Sequence, residues 1–371
     1  MKIILTLALT SLSLAAFAGT TYSLNSIGNF PGQEFLDVYD LNDSGVVVGT
    51  ADSSAPGATS TAFRWTVGGG FESLGGLGDG DAFARGINNA GNIVGASRNP
   101  AQTLLGTLWS PDGAPHSLGI PDGDVGSFAV AINNRDEAVG FSTGPGGFST
   151  ACLLSYGFAR ESLGTLPGGM NSSANAINDH GMVVGQSSTA TGIQSFVWTR
   201  GDGMSALPSL GGDEYSIAAD VNNQGEIVGN SYSLNGGNLN AFYYTATGGL
   251  MSMGTLNGDL DARVNAINDG GVAVGYSGDT SHYRAVTWQL GLGYTDLNTE
   301  LGAGAAGWTL LSASSINSVG QILAFGHYQN GGADYYGSVL LTPNAAPVPE
   351  PASFAALGLG AAALLRRKGK A

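Results

Sequence analysis

The chain has 371 residues, 61 of them glycine, and sets 28 carboxylates against 13 lysines and arginines for a formal charge of −15. A surface this negative repels phosphate backbones, which argues against nucleic acid as a partner and leaves cations and neutral glycans open. Cys152 is the one cysteine, so no internal disulfide is possible, and a body of this length can bury a core without bridges.

At the N-terminus Met1-Lys2 precedes an apolar run from Ile3 to Phe17, and Ala16-Phe17-Ala18 puts small residues at the two positions a signal peptidase reads. This predicts a signal peptide over 1–18, cleaved after Ala18. The run is shorter than the roughly 20 residues a membrane span needs. All three lysines (Lys2, Lys368 and Lys370) lie near the two ends. The body over 19–343 keeps eight arginines against 27 carboxylates, a formal charge of −19.

The body is one unit written seven times. An aliphatic residue followed by Asn recurs as Leu41-Asn42, Ile87-Asn88, Ile132-Asn133, Ile177-Asn178, Val221-Asn222, Ile267-Asn268 and Ile316-Asn317. Three residues after each Asn stands Gly45, Gly91, Gly181, Gly225, Gly271 or Gly320, with Asp136 the exception. Asn at the first corner of a type I turn bonds back to the backbone, and Gly at the fourth supplies positive φ. With β-rich runs on both sides, such as Val47-Val48-Gly49, the unit predicts a tight hairpin with a glycine bulge.

A third strand follows in copies such as Ala62-Phe63-Arg64-Trp65 and Ser195-Phe196-Val197-Trp198, with Cys152 at the Phe position of its own copy as a small core hydrophobe. A fourth element reads Ser73-Leu74-Gly75, Ser117-Leu118-Gly119 and onward. Its seventh copy comes first in the body, within Ser23 to Gly28, and none follows the last third strand. Four strands per unit of about 45 residues is the period of a propeller blade. The displaced strand suits a ring in which the N-terminal strand completes the last blade. The expectation is therefore all-β: a seven-bladed β-propeller of four-stranded antiparallel blades, closed in that way. Small residues two and four places before each Asn, such as Ala84 and Gly86, put the first strand innermost.

Past the body, 344–371 form a tail. Val348-Pro349-Glu350-Pro351 is followed by an apolar stretch from Ala352 to Leu365 and by the basic cluster Arg366-Arg367-Lys368. As a helix that stretch reaches only ~21 Å, against ~30 Å of hydrocarbon, so it suits a transient rather than a permanent transmembrane helix. Its basic end would face the cytoplasm. The three parts resemble the PEP-CTERM tail of Gram-negative bacteria. That resemblance implies an exosortase-type sorting enzyme as a partner, transient inner-membrane anchoring, and delivery to the cell surface or its exopolysaccharide. The repeat elements I-N-x-x-G-x-V-V-G, A-F-x-W and L-G-T-L resemble extracellular repeats of the HAF type. The eponymous His-Ala-Phe is incomplete here, since Thr61-Ala62-Phe63 and Asn240-Ala241-Phe242 lack the histidine.

Catalytic signatures are missing. His116, His180, His282 and His327 are scattered over different repeats with no metal-ligand spacing, and the one G-x-S-x-G string, Gly140-Phe141-Ser142-Thr143-Gly144, lies in a second-strand run rather than at a strand-to-helix turn, so it is no nucleophile elbow. Gly358-Leu359-Gly360-Ala361-Ala362-Ala363 mimics a dinucleotide fingerprint but follows no βαβ pattern. One polar feature recurs: Asp79, Asp124, Asp213 and Asp259 stand nine residues before the repeat Asn, each after a glycine, and Asp81 and Asp261 add a second carboxylate. These loops are expected to share a rim with the loops between second and third strands, such as 51–60. Ordinary turn chemistry accounts for them, and a Ca²⁺ site, which needs several oxygen ligands at once, is the competing reading. The functional expectation is a non-enzymatic binding or matrix module at the cell surface, with extracellular polysaccharide as a partner. The alternative is a hydrolase or lyase acting on surface polysaccharide through the acidic rim.

Overall fold

The computed structural model describes residues 20–157, 160–211, 213–233, 237–279 and 282–344. The segment expected to be a signal peptide and the tail beyond Asn344 lie outside them. Each Asn-x-x-Gly corner forms the expected turn. In the first repeat Gly45 N–H donates to Asn42 O at 2.9 Å and Asn42 N–H to Val46 O at 3.1 Å, and the other six corners share this pattern. The fourth position needs a left-handed backbone, with φ of 74° at Gly45, and Asp136 adopts 61° in its place. Aspartate is among the few side chains that tolerate this conformation, so the exceptional repeat keeps its turn.

The turns organise four-stranded antiparallel units. In the first, Phe35–Leu41, Val47–Asp52, Thr61–Thr66 and Gly70–Ser73 pair in chain order. The described strands form five such four-stranded sheets and one of eight, and no sheet closes on itself. The eight-stranded sheet is two units joined through a single parallel pair, Ile193 with Tyr215, a join that the repeat pattern does not foretell. Tyr22–Ser26 pairs antiparallel with Ala333–Pro343, from Tyr22 opposite Pro343 to Ser26 opposite Val339. The displaced first strand thus completes the last unit, as its sequence position predicts.

In two units, at Pro115–Gly119 and Glu161–Gly164, the fourth strand runs through the Ser-Leu-Gly element, and in others it ends just before the leucine. Gly70–Ser73 ends at the serine, and the following Leu74 turns into the core. Leu118, Leu163, Leu207, Met253, Leu297 and Ile27 do the same in their units. Burial of a leucine-sized side chain contributes about 1.5–3 kcal/mol, so this one position per repeat is a principal fastener between neighbouring sheets.

The first strands face one another. Each touches the first strand of the next unit, and Trp308–Ile316 touches Phe35–Leu41. Each carries a bulge that opens between the positions four and two places before the Asn, as at Ala84/Gly86. Glycine is required where the second strand crosses over the first: a Cβ on Gly95 would sit 1.8 Å from the Phe83 carbonyl oxygen. Phe63, Phe196, Phe242 and Trp109 are fully buried on the third strands. Cys152 is buried in the core, and burial pushes its thiol up to about 12, so it is a packing group rather than a nucleophile.

Candidate functional site

At the turn end the repeat asparagines do more than hold their own corners. Asn178 Oδ1 accepts from the backbone N–H groups of His180 and Met182, both at 3.0 Å, which fixes the turn. Its Nδ2 reaches out of the repeat to the Asn222 carbonyl at 2.9 Å. The same outward bond runs from Asn42 to Asn88, Asn88 to Asn133, Asn133 to Asn178, Asn222 to Asn268, Asn268 to Asn317, and from Asn317 back to Asn42. All seven side chains are buried. The Asn-x-x-Gly spacing predicts the turn role but not the bond between repeats. The signal that Asn stands at this corner in every copy, where Asp or Ser would serve the turn alone, was there to be read.

A second row of contacts lies one residue on. Asp43 N–H donates to Asn89 Oδ1, Asn89 N–H to Asn134 Oδ1, and Asn134 N–H to Asp179 Oδ1. The aliphatic–Asn pairs of all seven repeats line a cavity of about 220 Å³ at this end. Its amides are already spent, the repeat Asn side chains on backbone carbonyls and Asn89, Asn134 and Asn223 on the carboxylates of Asp43, Asp179 and Asp269, so what it presents is a braced polar surface.

Two carboxylates sit behind that surface. Asp40 and Asp220 occupy positions filled elsewhere by Gly86, Ala131, Ala176, Ala266 and Ser315. Asp40 accepts from Leu41 N–H at 2.9 Å, from Ile87 N–H of the next repeat at 3.0 Å and from the Ser315 hydroxyl at 3.0 Å. Asp220 accepts from the N–H groups of Val221 and Ile267, both at 2.8 Å. Burial pushes each up to about 6, the hydrogen bonds partly opposing it, and the Asp40 charge adds to the rise at Asp220. The sequence reading grouped both with the small residues of the inner strand. Their chemistry is distinct: each clips its own first strand to the next one.

The predicted acidic positions lie at the opposite end, in or just after the loops that lead into the first strands. Asp81 Oδ1 accepts from Ser60 N–H at 3.1 Å, and Asp261 Oδ1 from Leu239 N–H at 2.8 Å. Both donors belong to loops between second and third strands, so the two loop sets share one rim. Arg98 pairs with Asp81 at 3.0 Å. Arg284 Nη2 bridges both oxygens of Asp259 at 2.6 and 2.7 Å, and Ser277 adds a bond at 2.9 Å. Asp213 accepts from the Ser231 hydroxyl. Asp124 closes a turn through its N–H on Pro121 O, and Asp79 is exposed. Four of the six side chains therefore pin loops or pair with donors. Among the described residues no three His, Cys, Asp or Glu side chains gather as metal ligands would.

The histidines are equally dispersed. His116 bonds the Ser110 hydroxyl at 2.9 Å, and His180 is exposed on its turn. The sorting residues Val348, Pro349, Glu350, Pro351, Arg366, Arg367 and Lys368 lie outside the described residues, as does the apolar stretch read as a transmembrane helix. No described helix is long and apolar enough to cross a membrane.

Comparison with known proteins identifies the tail. The PEP-CTERM protein-sorting motif matches residues 347–368. It implies an exported protein of Gram-negative-type cells that an exosortase-type enzyme recognises. No curated protein matches the chain by sequence. Among solved structures, a mutant puromycin hydrolase complexed with PGG is similar at a TM-score of 0.53 and 14% identity, over 84% of this chain and 54% of that one. YCF48 bound to D1 peptide follows at 0.48 and 11%, over 87% and 95%, and TolB from Acinetobacter baumannii at 0.42 and 14%, over 68% and 64%. The chain thus spans about half the length of the puromycin hydrolase and under two thirds of that TolB. At these identities the likeness is one of fold.

Proposed function

We propose that this chain is a non-enzymatic binding or matrix protein of the cell surface, built as a closed seven-bladed propeller of HAF-type repeats and delivered by its PEP-CTERM tail. The observation that carries the reading is the match of the tail to the sorting motif over residues 347–368. Support for closure comes from the seven outward Asn bonds that return to Asn42 and from the pairing of Tyr22–Ser26 with Ala333–Pro343. Such a ring leaves few sheet edges open to pair with other chains, which suits a protein exposed outside the cell. The non-enzymatic role is supported by the use of Asp81, Asp213, Asp259 and Asp261 as acceptors for loop N–H groups and strand serine hydroxyls, since a glycosidase needs two carboxyls free across a cleft. Extracellular polysaccharide is the partner that fits the acidic, lysine-poor body.

The test is fractionation in an exosortase-bearing Gram-negative host. Deleting residues 347–371 should move the protein from the surface fraction to the soluble or periplasmic one. An unchanged distribution overturns the reading.

A further inference from the structure

The loop end holds a cleft that the sorting signal and the repeat scaffold do not use. It opens between the third and fourth repeats, with a volume of about 400 Å³. One wall is Phe141, half-buried on the second strand of the third repeat and stacked on Phe128 with ring centroids 5.7 Å apart and planes within 5°. The ring is thereby held in place from behind. Ser149 stands beside it, and the facing wall belongs to the fourth repeat and carries Asn171, Ser173, Gln186 and Ile193. Ser173 and Gln186 are cross-strand partners, so their side chains stand on one face of the sheet.

Of the six polar side chains lining this cleft, Ser172 and Ser188 are spent on backbone groups, and the other four keep free hydrogen-bonding capacity. Asn171 uses only Oδ1, accepting from Ser149 N–H at 2.9 Å. Among the described residues its Nδ2, the Gln186 carboxamide and the hydroxyls of Ser149 and Ser173 make no hydrogen bond within the protein. An apolar ligand would leave these donors and acceptors unpaired, which is costly once water is excluded. No charged side chain lines the cleft, and the body around it is strongly acidic, so an anionic ligand has nothing to pair with and much to repel it.

We infer that the Phe141 cleft binds a neutral saccharide unit, a sugar ring lying with its C–H face on Phe141 and its hydroxyls toward Asn171, Ser173 and Gln186. A pyranose matches the two walls because it offers an apolar face and a rim of hydroxyls that both donate and accept. Carboxamides are suited to such hydroxyls, since each offers one acceptor and two donors. The cleft falls within the range of small-ligand sites, about 300–1,000 Å³. It sits on two rigid sheets, so little ordering cost accompanies binding. The inference rests on the binding-module reading and names the ligand class for it.

Titration calorimetry on the full chain in detergent tests it, with cellohexaose, maltohexaose and laminarihexaose as neutral probes and trigalacturonate as the charged one. Saturable binding of at least one neutral hexasaccharide is expected, with no binding of trigalacturonate. Phe141→Ala should weaken it by about tenfold or more, the loss of one aromatic contact, while Phe141→Tyr should keep it within about threefold. Ser173→Trp, which fills the cleft from its mouth without touching the core, should abolish it. The inference is overturned if no neutral probe binds, if trigalacturonate binds better, or if Phe141→Ala and Ser173→Trp both leave binding unchanged. Surface fractionation is measured separately, so a failure here leaves the sorting result standing.

Discussion

At the turn end every repeat uses the same aliphatic–Asn corner, and each Asn reaches the backbone of the next repeat. At the other end the loops between second and third strands run from two residues (331–332) to eight (53–60), and the acidic side chains there find different partners in each repeat. The contrast has a physical origin. A hydrogen bond from one repeat to the next is satisfied only if every copy keeps the same geometry, because one misplaced Asn orphans a buried donor and a carbonyl. A loop that only has to return the chain to the next strand carries no such condition, and that freedom is where ligand contacts can arise.

The sharpest way to break the comparison is to exchange one residue at each end. Asn178→Ala removes two bonds that fix its own turn and one to Asn222, all from a buried side chain. At about 1–3 kcal/mol for each buried group left unsatisfied, the expected loss is about 3–5 kcal/mol in urea unfolding. Asp79→Ala at the loop end should stay within about 0.5 kcal/mol. Equal losses would mean that the two ends are braced alike.

A second, somewhat smaller effect concerns the carboxylates behind the Asn ring. Asp40 and Asp220 titrate near 6 when folded, above the ordinary value of 3.8. Groups raised in this way bind protons more tightly in the folded state. Their contribution is therefore full below about pH 4 and lost as pH rises through 6, by up to about 3 kcal/mol for each. Melting temperature followed from pH 4 to 7 should fall less steeply in Asp40→Asn and Asp220→Asn than in the parent. Parallel curves would show that neither carboxyl carries a raised pKa in the folded protein.

The smallest effect expected is that of calcium. With Asp81, Asp259 and Asp261 serving as acceptors for Arg98, Arg284 and Leu239 N–H, melting points in millimolar Ca²⁺ and in chelator should agree within about 1 °C. Asp79→Asn and Asp259→Asn should leave that agreement unchanged. Binding at a hundredfold excess over Kd would add about 2.7 kcal/mol, which for a domain of this size is a rise of about 4 °C. A rise of that size, lost in the Asp259 variant, would make the rim a metal site.

The sequence alone determined the repeat, the four strands of each copy, the displaced N-terminal strand and the sorting tail. Each of these is a local signal or a recurrence at fixed spacing: a turn residue, a period-2 run, or a Pro-Glu-Pro element ahead of an apolar stretch. Tertiary structure decided what the recurrent side chains touch. That Asn178 bonds Asn222, that Asp40 reaches Ile87 and Ser315, and that Phe141 faces Gln186 depends on how neighbouring sheets are set against one another. These partners come from different repeats, and from opposite ends of the chain where Asn317 bonds Asn42. A pattern read along the chain shows which positions recur, but the groups that satisfy them are brought close only when the sheets pack.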